Sequence, residues 1–423
     1  MAIKVHPLVI ALTGAFVLAG CGGGGSGGDD GGNDGGGNDG GAKSQFSETR
    51  ELTFTPPAAN ESVCYDLDTV PASVVSSCDG STAWDLKITG GRSYPTFWTN
   101  SGISGPGKGG AFGGPFSHTW ASLEQYKQGN VDPESGQALP ANVYVADAVS
   151  SVFSSSRDSG SAAFEYGLGN DHNMYPNFRV FLITTDSASA SVTSGVYALQ
   201  IVNYYNAAGK SGYPTLRWIS RDGSQAKPTE KTFDASTDWV YVDLTTGTTT
   251  TADGSWHIAL NRLQVKLNGG SNNPNGKVAG FDGYTPAGFY AADGEPVASK
   301  FLNPPAATVT EGYLTSPDIK TPAKAADWKK DANGSALNPA YEGAYPAPLN
   351  FGWYSYYSTD EAAETVGLKA HMLAANPDNG TMIRSGSGTG YARIHLDRIE
   401  YADKADRNSA QTWTFGYAVQ ASQ

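Results

Sequence analysis

Histidine and methionine are scarce in this chain, yet they occur together at two places. Beyond residue 20 the sequence contains five His and three Met. His172 and Met174 stand two residues apart in "DHNMYP", and His371 and Met372 are adjacent in "AHMLAANP". Imidazole and thioether groups are ligands of iron, so the two pairs predict a ligand site in each half of the chain. The alternative is that they are turn residues, with the methionines filling gaps in a core.

Two other histidines lie in aromatic or strand-like surroundings. His118 stands in "GGPFSHTWASLEQY" beside Trp120, where it fits either a second iron ligand or a surface residue. His395 lies in "YARIHLDRIEY", whose alternation of apolar and polar residues predicts a β-strand. On that alternation His395 shares a face with Arg393 and Asp397, so we expect it to face solvent.

One sequence pattern occurs twice. "DGSTAWDLKITGG" (79–91) and "DGSWHIALNRLQVKLNGG" (253–270) both begin Asp-Gly-Ser, place a Trp soon after, and end on paired glycines. Each is preceded by a segment ending in Asp-Leu and followed by an Asn-x-Gly loop. The ends of the two halves also correspond: an aromatic strand, a His-containing turn, an apolar strand, a Gly turn and two further strands. This order predicts two domains of one design, residues 48–228 and 229–423.

The residue after the repeated Trp differs between the copies. Asp85 follows Trp84, and His257 follows Trp256. In a strand, successive side chains point to opposite faces. If the Trp faces the core, the next residue points outward. We therefore expect Asp85 and His257 at the surface, and His257 is not a predicted ligand.

The composition predicts an all-β fold. The 423 residues include 53 Gly and 22 Tyr, which is typical of short strands joined by tight turns. No long helical period appears, whereas Trp413, Phe415 and Tyr417 alternate with small or polar residues, as in a half-buried strand. The second half carries a long insert rich in Pro, Ala, Gly and Asn at about 284–350. It has no evident counterpart, and its length predicts either a functional or a disordered loop.

The first 20 residues predict an export signal. A Lys precedes an apolar run (8–20) that is too short to span a bilayer comfortably. The letters "LAGC" (18–21) resemble a bacterial lipobox, which implies cleavage before Cys21 and lipidation of its thiol. An ordinary signal peptide with an incidental Cys is the alternative. Residues 21–47, rich in Gly and Asp after Cys21, predict a solvated tether.

The cysteines, the net charge and the motifs limit the classes of function that fit this chain. In an exported protein Cys64 and Cys78 predict a disulfide, worth roughly 3 kcal/mol in the chain-entropy model. The net charge of -13 argues against nucleic acid as a partner. Outside the Gly-rich tract, neither a His-Glu-x-x-His helix nor a Gly-x-Ser-x-Gly elbow occurs. We therefore predict that the protein is not an enzyme.

The strand and turn signatures together resemble the HmuY family, most closely in "WHIALNRLQVKLNGG" (256–270) and "VYALQIVNYY" (196–205). These are bacterial heme-binding lipoproteins with an all-β fold, exported to the outer membrane or secreted. The resemblance covers both halves and implies two tandem HmuY-like antiparallel β domains. It further implies capture of heme for uptake, a lipid anchor on the surface or periplasmic face of the outer membrane, and a heme receptor as partner.

Heme requires an apolar, aromatic-lined slot for its ring and His or Met ligands for its iron. The resemblance therefore makes His172, Met174, His371 and Met372 the predicted ligands, with His118 as a further candidate. Several aromatic residues are candidates for contacts with the ring: Trp98, Phe116, Trp120, Tyr175, Trp353 and Tyr356. Two other classes of function remain compatible with the sequence. One is a β-rich lipoprotein that binds a glycan or a protein without heme, and the other is a hydrolase.

Overall fold

The structure, a computed structural model, describes residues 43–155, 157 and 159–420. Within them the paired strands are antiparallel, and the longest α-helix has 6 residues. The all-β prediction is confirmed. The predicted signal peptide, Cys21 and residues 22–42 of the tether lie outside the described residues.

The strands fall into three stretches of the chain. Before residue 148 they are β1 (Arg50–Phe54), β2 (Ser62–Asp66), β3 (Ser73–Val74), β4 (Leu86–Thr89), β5 (Thr96–Thr99), β6 (Gly110–Phe112), β7 (His118–Thr119) and β8 (Tyr144–Val145). From residue 148 to 334 they are β9 (Ala148–Ser150), β10 (Phe164–Tyr166), β11 (Met174–Pro176), β12 (Val180–Thr184), β13 (Val196–Tyr205), β14 (Ser211–Ser220), β15 (Thr229–Thr232), β16 (Val240–Asp243), β17 (Thr248–Thr250), β18 (Ile258–Asn261), β19 (Gln264–Leu267), β20 (Ala279–Tyr284) and β21 (Ala332–Gly334).

The last stretch holds β22 (Leu349–Asn350), β23 (Tyr354–Tyr356), β24 (Leu373–Ala375), β25 (Asn379–Arg384), β26 (Tyr391–Tyr401) and β27 (Gln411–Gln420). The α-helices are α1 (Trp120–Leu123), α2 (Ala298–Leu302), α3 (Ala307–Gly312) and α4 (Asp360–Glu364). Single 3-10 turns occur at Ala141–Val143, Gly270–Asn272, Tyr313–Thr315 and Ala325–Asp327.

These elements form two compact units. Unit 1 contains the chain up to Ala148 and from Ser335 onward, and unit 2 is Val149–Gly334. The two main sheets of each unit are a large sheet and a small, four-stranded one, and the shorter ladders are β22-β23-β24, β10-β11 and β9-β21. In unit 1 the large sheet runs β1-β27-β26-β25-β6-β8, and the small sheet runs β3-β2-β4-β5. In unit 2 the corresponding orders are β15-β14-β13-β12-β20 and β17-β16-β18-β19.

Each core lies between the two sheets of its unit. In unit 2 the small-sheet residues Ile258 and Leu260 pack with Phe181, Leu199 and Leu216 of the large sheet. In unit 1 a matching set is buried: Leu86, Ile88, Phe97, Ile383, Ile394 and Phe415. The two faces are held together by burial of apolar surface, the main driving force of folding.

The strand orders show that the two copies of the sequence pattern exchange their C-terminal parts. In unit 1, β1 and β6 of the first copy pair with β27 and β25 of the second. In unit 2, β12 to β14 of the first copy pair with β15 and β20 of the second. The chain passes from one unit to the other after residue 148 and again after residue 334. Each unit is therefore a complete set of strands drawn from both copies.

This exchange corrects the predicted domain boundary. Residues 228 and 229 fall just before or at the start of β15, which pairs with β14 in the same sheet. The sequence predicts the strands and their order, but two copies of one design offer each strand two equivalent partners. Periodicity and turn signals are local, so they do not indicate which copy supplies the partner.

Cutting the chain between the copies tests the exchange. A protease site in the largely exposed segment 222–227, between β14 and β15, separates the copies covalently. We expect the two fragments to elute together at the mass of the uncut protein in size-exclusion chromatography with light scattering, since each unit needs strands from both. Separation of the fragments in guanidinium serves as the control for complete cleavage. Fragments that run apart in native buffer would show that each copy folds on itself.

The predicted insert at 284–350 is ordered and divided between the units. In unit 2, Leu314 and Trp328 pack on Val180, Leu182 and Ala279, the outer face of the large sheet. Later residues of the insert, 335–350, belong to unit 1. The segment after β20 occupies the place that residues 113–147 take after β6, so the insert does have a counterpart in the first copy.

The segments after β6 and β20 end on equivalent buried carboxylates. Asp147 accepts a hydrogen bond from the Thr99 N–H (2.9 Å), and Asp331 accepts one from the Leu267 N–H (2.7 Å). Thr99 and Leu267 are the last residues of β5 and β19. Burial raises the pKa of Asp331 to about 6 and also raises that of Asp147.

The repeated Trp and the Asn-x-Gly loop are joined in the same way in both units. The Asn100 side-chain amide donates to the Trp84 carbonyl (2.8 Å), and the Asn268 amide donates to the Trp256 carbonyl (2.9 Å). Both Trp side chains are buried. The predicted Cys64–Cys78 disulfide is present, and the Cys78 carbonyl accepts the Trp84 indole N–H (2.9 Å).

The residue after the repeated Trp points inward, contrary to expectation. Asp85 is 3% exposed, and its carboxylate accepts the N–H groups of Leu67 and Gly386, both at 2.8 Å. His257 accepts the equivalent N–H, that of Leu244, at Nδ1 (3.1 Å). The regular strands begin only at Leu86 and Ile258, so alternation does not extend back to the Trp.

Burial has opposite effects on the two groups. It raises the pKa of Asp85 to about 7, with further support from the nearby carboxylates of Asp68 and Asp66. It lowers the pKa of His257, although the negative charge of Asp243 acts in the opposite direction. Nδ1 also lies 3.2 Å from the Asp243 carboxylate, and it accepts the Leu244 N–H only in the neutral tautomer that carries its proton on Nε2. Asp and His therefore have one structural task, to receive the backbone N–H of the preceding Asp-Leu strand.

Candidate functional site

A cavity of about 560 Å³ opens in unit 2 between three elements. One wall is the end of the β10–β11 hairpin (residues 172–174), and a second is the β13–β14 hairpin (204–211). The third is the turn between β18 and β19 (261–264). The first two walls come from the first copy of the sequence pattern and the third from the second copy. The strand exchange is thus what brings the three walls together.

His172 lies at this cavity with one ring nitrogen already held. Its Nδ1 is 2.6 Å from the hydroxyl of Tyr166, the last residue of β10. Iron-binding imidazoles commonly hold one nitrogen in a hydrogen bond that fixes the ring, while the other binds the metal. The exposed His172 ring can therefore offer Nε2 to iron.

Met174 lines the same cavity from the first position of β11. Its N–H donates to the Tyr205 hydroxyl (2.8 Å), and its half-buried side chain packs against the core between the sheets. Tyr204, 4% exposed, and Tyr205 also line the cavity. The cavity therefore combines one imidazole and one thioether with two tyrosines on one wall, and much of the remaining lining is polar.

Unit 1 repeats the histidine but not the methionine. His371 Nδ1 is 2.6 Å from the Tyr356 hydroxyl, and the Leu373 N–H donates to the Tyr401 hydroxyl (2.8 Å). His371 thus occupies the position of His172, and Leu373 that of Met174. Alignment of the two histidines from the sequence pattern matches their placement in the structure.

Met372 lies one residue out of register with Met174. It is 1% exposed, and its sulfur accepts the Lys369 N–H at 3.2 Å. It packs in a small apolar cluster with Tyr357 and Leu368. A sulfur engaged in this way within a core has no open approach for iron, so we drop Met372 from the proposed ligands.

The turn that forms the third wall differs between the units. In unit 2 it consists of residues 262–263, between β18 and β19. In unit 1 the corresponding turn, residues 90–95, is longer. Its Tyr94 ring lies 5.3 Å from Phe351 and 5.7 Å from Tyr354. An aromatic side chain therefore packs on β23 in unit 1, where unit 2 has a short turn beside an open cavity.

The remaining predicted aromatic contacts lie elsewhere. Trp353 is 1% exposed in the core of unit 1, and its indole donates to the Leu337 carbonyl (2.7 Å). Tyr175 alternates with Met174 along β11 and donates to the Asp171 carboxylate (2.5 Å). The structure gives neither ring a place in the cavity wall.

His118 and Trp120 belong to unit 1, and the residues that line the His172 cavity all belong to unit 2. His118 stacks on Phe112 (4.6 Å between ring centres), and Trp120 stacks on His395 (4.2 Å). Burial lowers the pKa of both histidines. His395, predicted to face solvent, is therefore partly covered, because α1 brings Trp120 over its strand.

Sequence analysis named Tyr356 as a candidate contact for the ring but did not identify Tyr166, Tyr205 or Tyr401. Tyr166 and Tyr356 each end a short aromatic strand and hold a histidine, and Tyr205 and Tyr401 each receive a backbone N–H across the site. The available signal was an aromatic strand before each His-containing turn. Residue spacing did not predict how this strand pairs with the strand after the turn, and that pairing decides which tyrosine meets the histidine.

Residues 235–417 match the model of the HmuY family, described as HmuY protein. Over this region, a little under half of the sequence, the chain is similar to the HmuY family. HmuY is a heme-binding family. The match follows the second copy of the sequence pattern, beginning in unit 2 and ending in unit 1. It includes His371 and the turn at 261–264 but not His172.

No curated protein matches the chain. The HmuY-like nature of the first copy therefore stays a prediction, supported by the matching strand order of the two units. Among the described residues, no helix is long and apolar enough to cross a membrane.

Proposed function

We propose that this HmuY-like chain is a surface-tethered protein that captures heme for uptake without catalysing a reaction. The observation that carries the proposal is the cavity of unit 2, where His172 presents an imidazole held at Nδ1 by Tyr166. Its volume of about 560 Å³ falls within the range of small-molecule sites. Imidazole and thioether groups are ligands of heme iron, and His172 and Met174 place one of each at this cavity.

Different residues of the cavity contact the iron and the porphyrin ring. His172 is the proposed first iron ligand, with Met174 on the adjacent strand end as the candidate second ligand. Tyr205, which is partly exposed, provides aromatic surface for the ring, with the buried Tyr204 behind it. Because both imidazole and thioether bind iron as neutral groups, capture leaves the porphyrin chemically unchanged, and release needs only ligand exchange.

We propose one heme site per chain, in unit 2. The equivalent place in unit 1 keeps His371 but has Leu373 in place of Met174 and Tyr94 packed on β23. A lipid on Cys21 and the Gly-rich tract would hold the site near a membrane receptor and raise its effective concentration there. Outer-membrane location and the receptor are parts of this proposal.

The alternative, a glycan- or protein-binding module, draws support from exposed tyrosines of unit 1. Tyr341 and Tyr345 are 47% and 61% exposed, and the Tyr341 ring lies 5.4 Å from Phe351. Hemin titration of the purified protein, followed at the Soret band, separates the two functions. We expect a saturable shift, whereas a module of the alternative kind gives none.

A further inference from the structure

The lining of the unit 2 cavity lacks acidic side chains, although the chain as a whole is acidic. The protein carries 41 acidic and 28 basic residues, yet no Asp or Glu is among the residues that line the cavity. Apart from His172, the one ionisable cation in the lining is Arg262. An acidic protein that keeps carboxylates off a cavity wall and places a guanidinium there creates a site suited to an anion.

Arg262 is held at the cavity by its backbone. It occupies the turn between β18 and β19 with a φ of 51°, a left-handed conformation that is unfavourable for a residue with a side chain. Its N–H donates to the Ala235 carbonyl (2.8 Å). Non-glycine residues in this region of backbone space concentrate at functional sites.

The guanidinium of Arg262 has free donors. Its side chain is exposed, and its one recorded hydrogen bond, to the Ser211 hydroxyl, is long at 3.4 Å. Among the described residues it makes no ion pair, whereas Arg217 binds Glu230 and Arg398 binds Glu51. A planar guanidinium with open donors is the best protein partner for a carboxylate.

We propose that Arg262 binds a carboxylate of the ligand, namely a propionate of heme. This inference rests on the proposed function. The ring enters the cavity with its iron toward His172, and a propionate stays at the rim where Arg262 meets solvent. Arg262 thereby selects a porphyrin that carries free carboxylates.

Hemin and its neutral dimethyl ester are the two probes that test this role. The affinity of each is measured by Soret titration of the full chain in one detergent-containing buffer. The variant is Arg262→Asn, since Asn tolerates a positive φ. The matched control is Arg92→Asn, in the corresponding turn of unit 1.

We expect the unmodified protein to bind hemin about tenfold more tightly than the ester, the size of one charge-assisted hydrogen bond. Arg262→Asn should abolish that preference by lowering the affinity for hemin but not for the ester. Arg92→Asn should preserve the preference. Equal binding of both probes by the unmodified protein, an unchanged preference in Arg262→Asn, or its loss in Arg92→Asn would overturn the inference. Absence of hemin binding altogether would instead overturn the proposed function.

Discussion

His172→Ala is expected to weaken hemin binding about a hundredfold, equivalent to ~2.7 kcal/mol, and to shift the Soret band. The reason is that His172 places an imidazole at the cavity of unit 2, with Nδ1 fixed by Tyr166 at 2.6 Å. Removal of the imidazole leaves the cavity walls intact, so the loss reports on iron coordination. Soret titration of each purified variant measures the change.

His371→Ala is the matched control, because His371 has the same tyrosine partner at the same distance in unit 1. It should change hemin affinity by less than about threefold, since the neighbouring Met372 is buried and Tyr94 packs on β23. The reverse result, with His371→Ala losing hemin and His172→Ala retaining it, would place the site in unit 1. Near-UV circular dichroism should show that both variants fold.

Gly270→Ala is expected to lower the free energy of unfolding by about 3–5 kcal/mol, or to prevent folding. Two costs add. Gly270 has a φ of 64°, which strains a residue with a Cβ by about 1–2 kcal/mol. A Cβ there would also lie 1.9 Å from the Asp331 carbonyl oxygen, and a backbone atom cannot move aside cheaply in a close-packed interior.

Gly223→Ala separates these two costs, because Gly223 has a φ of 79° but nothing within 4 Å of the new Cβ. It should cost only about 1–2 kcal/mol. Gly102→Ala should resemble Gly270→Ala, since its Cβ would lie 2.0 Å from the Asp147 carbonyl oxygen. Chemical denaturation measures all three. If Gly270→Ala and Gly223→Ala destabilised equally, the close approach to Asp331 would not be a structural constraint.

The sequence predicted those features that depend on local periodicity. Alternation identified the long strands β26 and β27, and the repeated Trp and Asn-x-Gly pattern marked equivalent parts of the two units. The same alignment made His172 and His371 comparable, and the structure gives both the same tyrosine contact. These predictions succeeded because strand period and turn chemistry are properties of short segments.

The failures arose where long-range pairing decides the outcome. The boundary at residues 228 and 229 was wrong because β14 has its partner β15 across it and β1 has its partner β27 near the other end of the chain. Asp85 and His257 turned inward because the strand begins one residue later. Met372 stands one position before Leu373, the counterpart of Met174, and its side chain is buried in a separate apolar cluster.

The hemin stoichiometry of the full chain tests the central claim most directly. Titration to saturation at the Soret band should end at one hemin per chain, and the same titration of His172→Ala should show no tight phase. Binding of two equivalents with equal affinity, or the absence of any saturable shift, would contradict a single heme site in the cavity of unit 2.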